Sequence, residues 1–262
     1  MDLPVESWYR AVFLRRSRRS FEPVRIADEA IARINRVCHA FRPYPGVRSE
    51  FVDRPPEDIF RGILGSAGKI TGAPCYIAFI GDTRDSHAGE AVGYTGEGVI
   101  LEATALGLGT CWVSGFFRPD AVRGDLMLSA DERVFAVTPL GFVRKALTAK
   151  DAFYRMAAGS NRRKPLDKIV KGEILHSWQD QAVAAARLAP SASNRQPWRF
   201  IMGAHSITVR TDALKNGRRF PRRLDCGIAM LHIELGARAA GARGKWTRLT
   251  APDVARFDQS ET

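Results

Sequence analysis

The sequence predicts an α+β protein made of two related halves, and three observations predict it. Strand-like apolar runs alternate with helical patterns along the chain. Each half holds one helix that is apolar nearly all round, "GEGVILEATALGLGTCW" in the first and "CGIAMLHIELGARAAG" in the second; such a helix belongs at the centre of a fold. The two stretches also echo each other. Gly98 plus 129 is Gly227 and Gly107 plus 129 is Gly236, and Val99, Leu101 and Leu106 fall on Ile228, Met230 and Leu235. Upstream, Pro74 plus 123 is Pro197, each ahead of an apolar strand, so an insertion of 129 − 123 = 6 residues reconciles the offsets. The halves are expected at residues 1–170 and 171–262, each a small mixed or antiparallel sheet packed by helices around its central helix.

In chain order, Ser7 is expected to cap a first helix with Trp8, Val12 and Phe13 on its apolar face, running toward the arginines at 15–19. A second helix starts near Asp28, with Ile31, Ile34, Val37, Cys38 and Phe41 on one side. "FRPYPGVRSEFVDRPPE" reads as a loop, punctuated by Pro43, Pro45, Pro55 and Pro56. Residues 75–80 read as a buried strand, the first central helix follows and ends at Gly107 and Gly109, and residues 134–138 are strand-like. In the second half "WQDQAVAAARLA" is helical, "WRFIM" and "SITVR" are strands, and the second central helix follows. The tail after about Trp246 has no assignment.

Composition narrows the classes. No run of about 18 apolar residues appears, so no transmembrane span is expected. The N-terminus places acids before arginines, the reverse of a secretory leader, which points to the cytoplasm. Cys38, Cys75, Cys111 and Cys226 fit no metal spacing and read as reduced buried thiols; the five histidines are scattered, and no metal is expected. The formal charge of +12 makes nucleic acid the first suspect. But the cations gather at Arg10 with residues 15–19, at 162–164 and at 218–223, without interleaved aromatics or a nucleic-acid-binding motif. A small phosphate-bearing ligand explains the first two clusters equally well. The third reads as a solvated surface, with a phosphate-cofactor landing site or a polyanion patch as alternatives.

Three segments carry the chemistry. "RRSRRSF" sets permanently charged, bidentate donors at a helix end, where several guanidiniums outweigh an unfavourable helix dipole. "LAPSASNRQPWRF" offers amides and hydroxyls that donate and accept together, which suits the edge of a flat heterocycle. "GLGTCWVSGF" lets backbone approach a ligand closely. Each alone also fits an ordinary basic face, capping loop or helix end.

Taken together, these segments resemble an FMN-dependent nitroreductase. The family's R-R-S-x-R-x-F, A-x-G-L-G-x-x-W, R-R-x-P-L and P-S-x-x-N-x-Q-P-W patterns stand here at residues 15–21, 105–112, 162–166 and 190–198. The polar loop follows the Gly-Leu-Gly helix instead of preceding it, which resembles the single-chain tandem branch: a homodimer fused into an intramolecular pseudo-dimer, one interface site kept. The resemblance implies that Arg15, Arg16, Ser17 and Arg163 bind the FMN phosphate and ribityl chain, with Arg19 nearer the ring. It implies that Ser191, Ser193, Asn194 and Gln196, in the loop opened by Pro190, hydrogen-bond the isoalloxazine or ribityl. Trp112, Val113, Ser114 and Gly115 would lie against the ring, with the backbone N–H of Ser114 or Gly115 near N5. It further implies NAD(P)H as co-substrate, hydride transfer through FMN to a nitroaromatic, quinone or flavin with ping-pong kinetics, and a monomer. A non-catalytic flavin-binding or sensor module and a basic nucleic-acid-binding protein are the competing readings.

Overall fold

A computed structural model describes residues 1–60, 70–144, 162–212 and 222–260. Helices α1 (Val5–Leu14) and α2 (Asp28–Ala40) lead into strand β1 (Val47–Val52), β2 (Cys75–Asp82), α3 (Ala88–Ala105), β3 (Gly109–Thr110), α4 (Pro119–Arg123) and β4 (Glu132–Gly141). Then come α5 (Leu166–Ile169), β5 (Val170–Lys171), α6 (Ser177–Arg187), β6 (Trp198–Gly203), β7 (Ser206–Thr211), α7 (Arg222–Ala239), β8 (Gly244–Arg248) and β9 (Asp253–Gln259).

The fold is α+β with two sheets. One has strand order β1-β2-β4-β3 and the other β5-β6-β7-β9-β8. Apart from the parallel β5–β6 pair, every neighbouring pair is antiparallel. Remove the edge strand β5 and the sheets have one topology: β1 corresponds to β6, β2 to β7, β4 to β9 and β3 to β8, with α3 and α7 in matching places. Even the irregularities agree, for register shifts between Phe79 and Ile80 in one sheet and between Val209 and Arg210 in the other.

The central helices pack on each other, and the contact is two-fold. A Cβ on Gly93 would overlap Leu224 O, and one on Gly227 would overlap Glu90 O. Since 90 + 134 = 224 and 93 + 134 = 227, each contact is the image of the other, as in an isologous interface. Both helices are buried on nearly every side, which is why their sequences are mostly apolar, and the acids they bury each hold a polar partner, as Glu90 does with Arg223 and Glu102 with Trp8.

This geometry corrects the repeat. The true offset of the central helices is 134, not 129, because the glycines that must match are those at the crossing. Pro74 and Pro197 are not counterparts either: Pro197 precedes β6, the partner of β1, whereas Pro74 precedes β2. Residues 47–52, expected as loop, form β1; Val47 and Ser49 face inward and alternate with half-buried neighbours, a short period-2 signal masked by flanking prolines. The tail forms β8 and β9, which complete the second sheet. The first helix begins at Val5, so Ser7 does not cap it; its hydroxyl donates to Pro4 O at 3.2 Å. Its buried face is Trp8, Ala11 and Val12, and Phe13 is exposed, stacked edge-on against Tyr9. At the other end of α3, Leu108 N–H bonds Ala103 O and Gly107 N–H bonds Thr104 O, with Gly107 at φ 76°. That is a Schellman stop, and it requires glycine at 107.

Candidate functional site

The segment after α1 is extended. Ser17 bridges Thr110 of β3, Arg18 N–H donates to Thr110 O at 2.7 Å, and Thr71 and Phe21 continue the pairing. Residues 15–21 therefore line the open edge of the first sheet, beyond β3. Arg15 is 5% exposed, and its Nε lies 3.8 Å from Glu97 Oε1 without hydrogen-bonding it. Burial lowers the Arg15 pKa, opposed by the negative charge of Glu97. Arg19 Nε is likewise buried with no hydrogen-bond partner among the described residues. Arg16 turns back onto Phe13 O and Arg15 O at 2.9 and 2.8 Å.

The second half brings its polar loop to the same place. Arg163 Nη1 donates to Asn194 Oδ1 at 2.7 Å and Nη2 to Leu188 O at 3.1 Å, at the carbonyl end of α6. Burial, together with the charges of Arg15, Arg16 and Arg187, pushes the Arg163 pKa down to about 10. That coupling puts four guanidiniums in one neighbourhood. The cluster is electrostatically unfavourable alone and would be complemented by an anion.

The loop itself is held in an unusual conformation. Ser193, Asn194 and Gln196 all have positive φ, at 52°, 52° and 49°, a region most side chains avoid and that recurs at functional sites. Three sets of bonds hold it. Ser191 Oγ accepts from Gln196 N–H at 2.9 Å. Gln196, 3% exposed, takes Lys164 N–H on Oε1 at 2.7 Å and gives Nε2 to Arg162 O at 3.2 Å. Asp225 of α7, 2% exposed, accepts from Ala192 N–H at 3.2 Å and from Arg195 Nε at 3.0 Å. Burial raises the Asp225 pKa to about 6, against the pull of Arg195.

The Gly-Leu-Gly segment completes the arrangement. Trp112 Nε1 donates to Glu97 Oε2 at 2.7 Å, and its ring lies against Phe79 with centroids 4.6 Å apart. Val113 is buried and pairs with Val137. Ser114 and Gly115, just beyond, line an open cavity of about 350 Å³ with Phe117, Phe135, Arg123 and Arg133.

Of the residues expected from sequence, the structure gathers Arg15, Arg16, Arg163 and Asn194 directly, and ties Gln196 and Ser191 to them as braces. Pro190 is buried at the loop entrance and Ser193 is exposed at its tip. Four participants were missed: Arg187, Glu97, Asp225 and His232, whose Nε2 lies 2.9 Å from Glu97 Oε1. Glu97 and Asp225 had a signal, an acid inside an otherwise apolar helix. The third basic cluster is not a solvated surface where it is described: Arg223 is 9% exposed and pairs with Glu90 at 2.5 Å, and Arg222 faces Asp212 at 3.4 Å. Arg218 and Arg219 lie outside the described residues. All four cysteines are buried and unpaired with one another, and burial pushes the Cys38 and Cys75 thiols up to about 12.

A two-sheet α+β fold with crossed central helices, and an arginine cluster facing a polar loop, define a class that the comparisons identify. Residues 7–237 match the family described as "Putative TM nitroreductase". The chain belongs to this nitroreductase family. A "putative nitroreductase" from Thermotoga maritima superposes with a TM-score of 0.65 at 19% identity, over 98% of this chain and 96% of that one. A nitroreductase with bound FMN from Bacteroides fragilis matches at 18% identity and TM-score 0.43, over 55% of this chain and 92% of its own. A protein described as "Putative NADH dehydrogenase/NAD(P)H nitroreductase" from Bacteroides thetaiotaomicron matches at 21% identity and TM-score 0.45, over 55% and 90%. No curated protein sequence matches the chain. Among the described residues, no helix is long and apolar enough to cross a membrane.

Proposed function

We propose that the protein is an FMN-dependent oxidoreductase that passes hydride from NAD(P)H to a small acceptor such as a nitroaromatic, a quinone or a flavin. One observation carries this reading: Arg15, buried with no hydrogen-bond partner for its Nε among the described residues, and Arg16 lie close to Arg163, which bonds Asn194 in the polar loop of the second half. The donor set fits FMN, with guanidiniums suited to a phosphate and amides and hydroxyls to a heterocycle edge. FMN, when bound, supplies the two-electron chemistry, accepting hydride from one partner and giving it to the next.

The chain's residues bind and orient. Arg15, Arg16, Ser17 and Arg163 would hold the phosphate and ribityl chain, now joined by Arg187, with Arg19 toward the ring. Ser193 and Ser191 would meet the polar edge, and Asn194 would join them by exchanging its bonds to Arg163 and Arg162 O for the ligand. Gln196 and Pro190 shape the loop, since the Gln196 amide is already bonded to Arg162 and Lys164. Residues 112–115 would flank the ring, with a backbone N–H of Ser114 or Gly115 toward N5; neither N–H is taken by another described residue. Nicotinamide and acceptor would enter in turn by the cavity that Ser114 and Gly115 line.

The halves, divided near residue 170, act as an internal pseudo-dimer, so the working unit is a monomeric, cytoplasmic chain. A single experiment tests these points. The purified full chain is expected to sediment as a monomer, to carry equimolar FMN with oxidised-flavin absorption, and to bleach on NAD(P)H and recover with acceptor. A colourless protein that also refuses added FMN overturns the reading. Bound FMN without turnover leaves a flavin-binding module.

A further inference from the structure

Glu97 stands at the middle of α3, 0% exposed, where three separate parts of the chain converge on one carboxylate. Oε2 takes the indole N–H of Trp112 at 2.7 Å. Oε1 lies 2.9 Å from Nε2 of His232 on α7, whose other ring nitrogen is 3.0 Å from Ala185 O of α6. Oε1 also lies 3.8 Å from Arg15 Nε. Among the described residues it is the only carboxylate paired with Arg15. A buried guanidinium crowded by the like charge of Arg16 needs such a partner when no ligand is present.

We propose that Glu97 is a resident counter-ion, which stabilises the arginine cluster when no phosphate is bound and holds down the affinity for phosphate when one arrives. The physical basis is competition for one cation. Glu97 and a bound phosphate both attract Arg15, and they repel each other across it. The carboxylate therefore adds stability to the empty chain and subtracts from ligand binding, a negative coupling between the two anions. Identifying the natural ligand as FMN rests on the reading above; the role of Glu97 toward phosphate does not.

Glu97→Gln removes the carboxylate charge with one accompanying change: both ring nitrogens of His232 face oxygen acceptors in the wild type, Glu97 Oε1 and Ala185 O, whereas in the variant Nε2 accepts. The variant's amide oxygen can still accept from Trp112 Nε1, and its amide N–H can donate to His232 Nε2 while Nδ1–H donates to Ala185 O, so every hydrogen bond keeps a partner. Glu102→Gln is the control. Glu102 is an equally buried acid on the same helix, 1% exposed, bonded to Trp8 Nε1 at 2.6 Å and to Arg33, away from the cluster.

The experiment compares wild type, Glu97→Gln and Glu102→Gln as full chains freed of flavin. Tm and Kd are measured without ligand and with inorganic phosphate, riboflavin and FMN. Glu97→Gln is expected to lower the ligand-free Tm by about 2–4 °C. It is expected to bind phosphate and FMN about three- to tenfold tighter than wild type, with riboflavin unchanged. Glu102→Gln lowers Tm and leaves all the affinities alone. Weaker or unchanged phosphate and FMN binding by Glu97→Gln makes Glu97 an ordinary structural contact and overturns the proposal. If phosphate binds and FMN does not, the flavin reading falls, and the phosphate comparison alone decides the role of Glu97. If no protein binds either, both fall.

Discussion

The loop before β1 and the loop before β6 occupy the same place in the two halves and do opposite things. Residues 41–46 are an aromatic plug. Phe41 packs edge-on against Trp8 with centroids 5.0 Å apart, Tyr44 meets Tyr94 at 5.3 Å, and Arg248 of β8 lies over the Tyr44 ring at 5.1 Å. Residues 188–197 carry instead three left-handed side chains, an aspartate brace and a guanidinium partner. Around the pseudo-two-fold, β8 is the image of β3, so Arg248 against Tyr44 stands where the arginine segment beside Thr110 meets the polar loop. One cleft is filled with rings and the other is lined with charges. The backbone is symmetric because core packing demands it; the polar side chains are asymmetric, gathered at one cleft and replaced by rings at the other.

The harshest way to break that comparison is at its axis. Gly93→Val and Gly227→Val each drive a side chain into the backbone of the opposing helix, at Leu224 O and Glu90 O. Overpacking against backbone that cannot yield is expected to cost about 3 kcal/mol or more. Because the contacts are images, the two variants should be about equally destabilised in urea titration. A tolerated substitution at one position and not at the other would show that the crossing is not symmetric in energy.

A smaller effect separates the two clefts. Arg163→Ala removes a charge-assisted bond to Asn194 and a cation from the cluster. At about 1.5–3 kcal/mol for such a bond, FMN affinity should fall about 10- to 100-fold. Tyr44→Ala empties part of the plugged cleft and should lower stability while leaving FMN affinity within about twofold, because it lies outside the proposed cradle. Fluorescence titration of FMN measures both. Equal losses in the two variants would mean the clefts are not distinct.

How much of this was legible in sequence follows from the range of each signal. The central helices announced themselves because burial on nearly every side leaves mostly apolar residues to read. The arginine segment and the polar loop were visible because such donors are out of place beside apolar runs. What stayed hidden depends on three-dimensional neighbours. The offset of 134 is set by where Gly93 and Gly227 cross, and the larger set of glycines in both helices allowed a false match at 129. Strand β1 is short and framed by prolines, so its alternation of Val47 and Ser49 was outweighed. Arg223 looked like part of a surface run because its partner, Glu90, is far away in sequence.

The gentlest test concerns Asp225, which braces the working loop and has no counterpart in the plugged one; its image on α3, 225 − 134 = 91, is Ala91. Burial raises its pKa to about 6 in the folded chain, above about 3.9 for an unfolded aspartate. The folded state therefore holds the proton more tightly. This group contributes stability that is full below about pH 4 and is lost as pH rises through about 6. Asp225→Asn should flatten that part of the stability profile, and at pH 8 it should leave the midpoint of urea unfolding unchanged or slightly higher, since a buried charge is gone. Its amide oxygen still accepts one N–H, but the ion pair to Arg195 is lost, so the loop is held less firmly. FMN binding at pH 8 should weaken by only a few fold, about 1 kcal/mol or less. A variant that keeps the wild-type slope between pH 4 and 6 would show that Asp225 is not the group that titrates there, and one that unfolds at pH 8 would show that the fold needs the carboxylate charge rather than tolerating its loss.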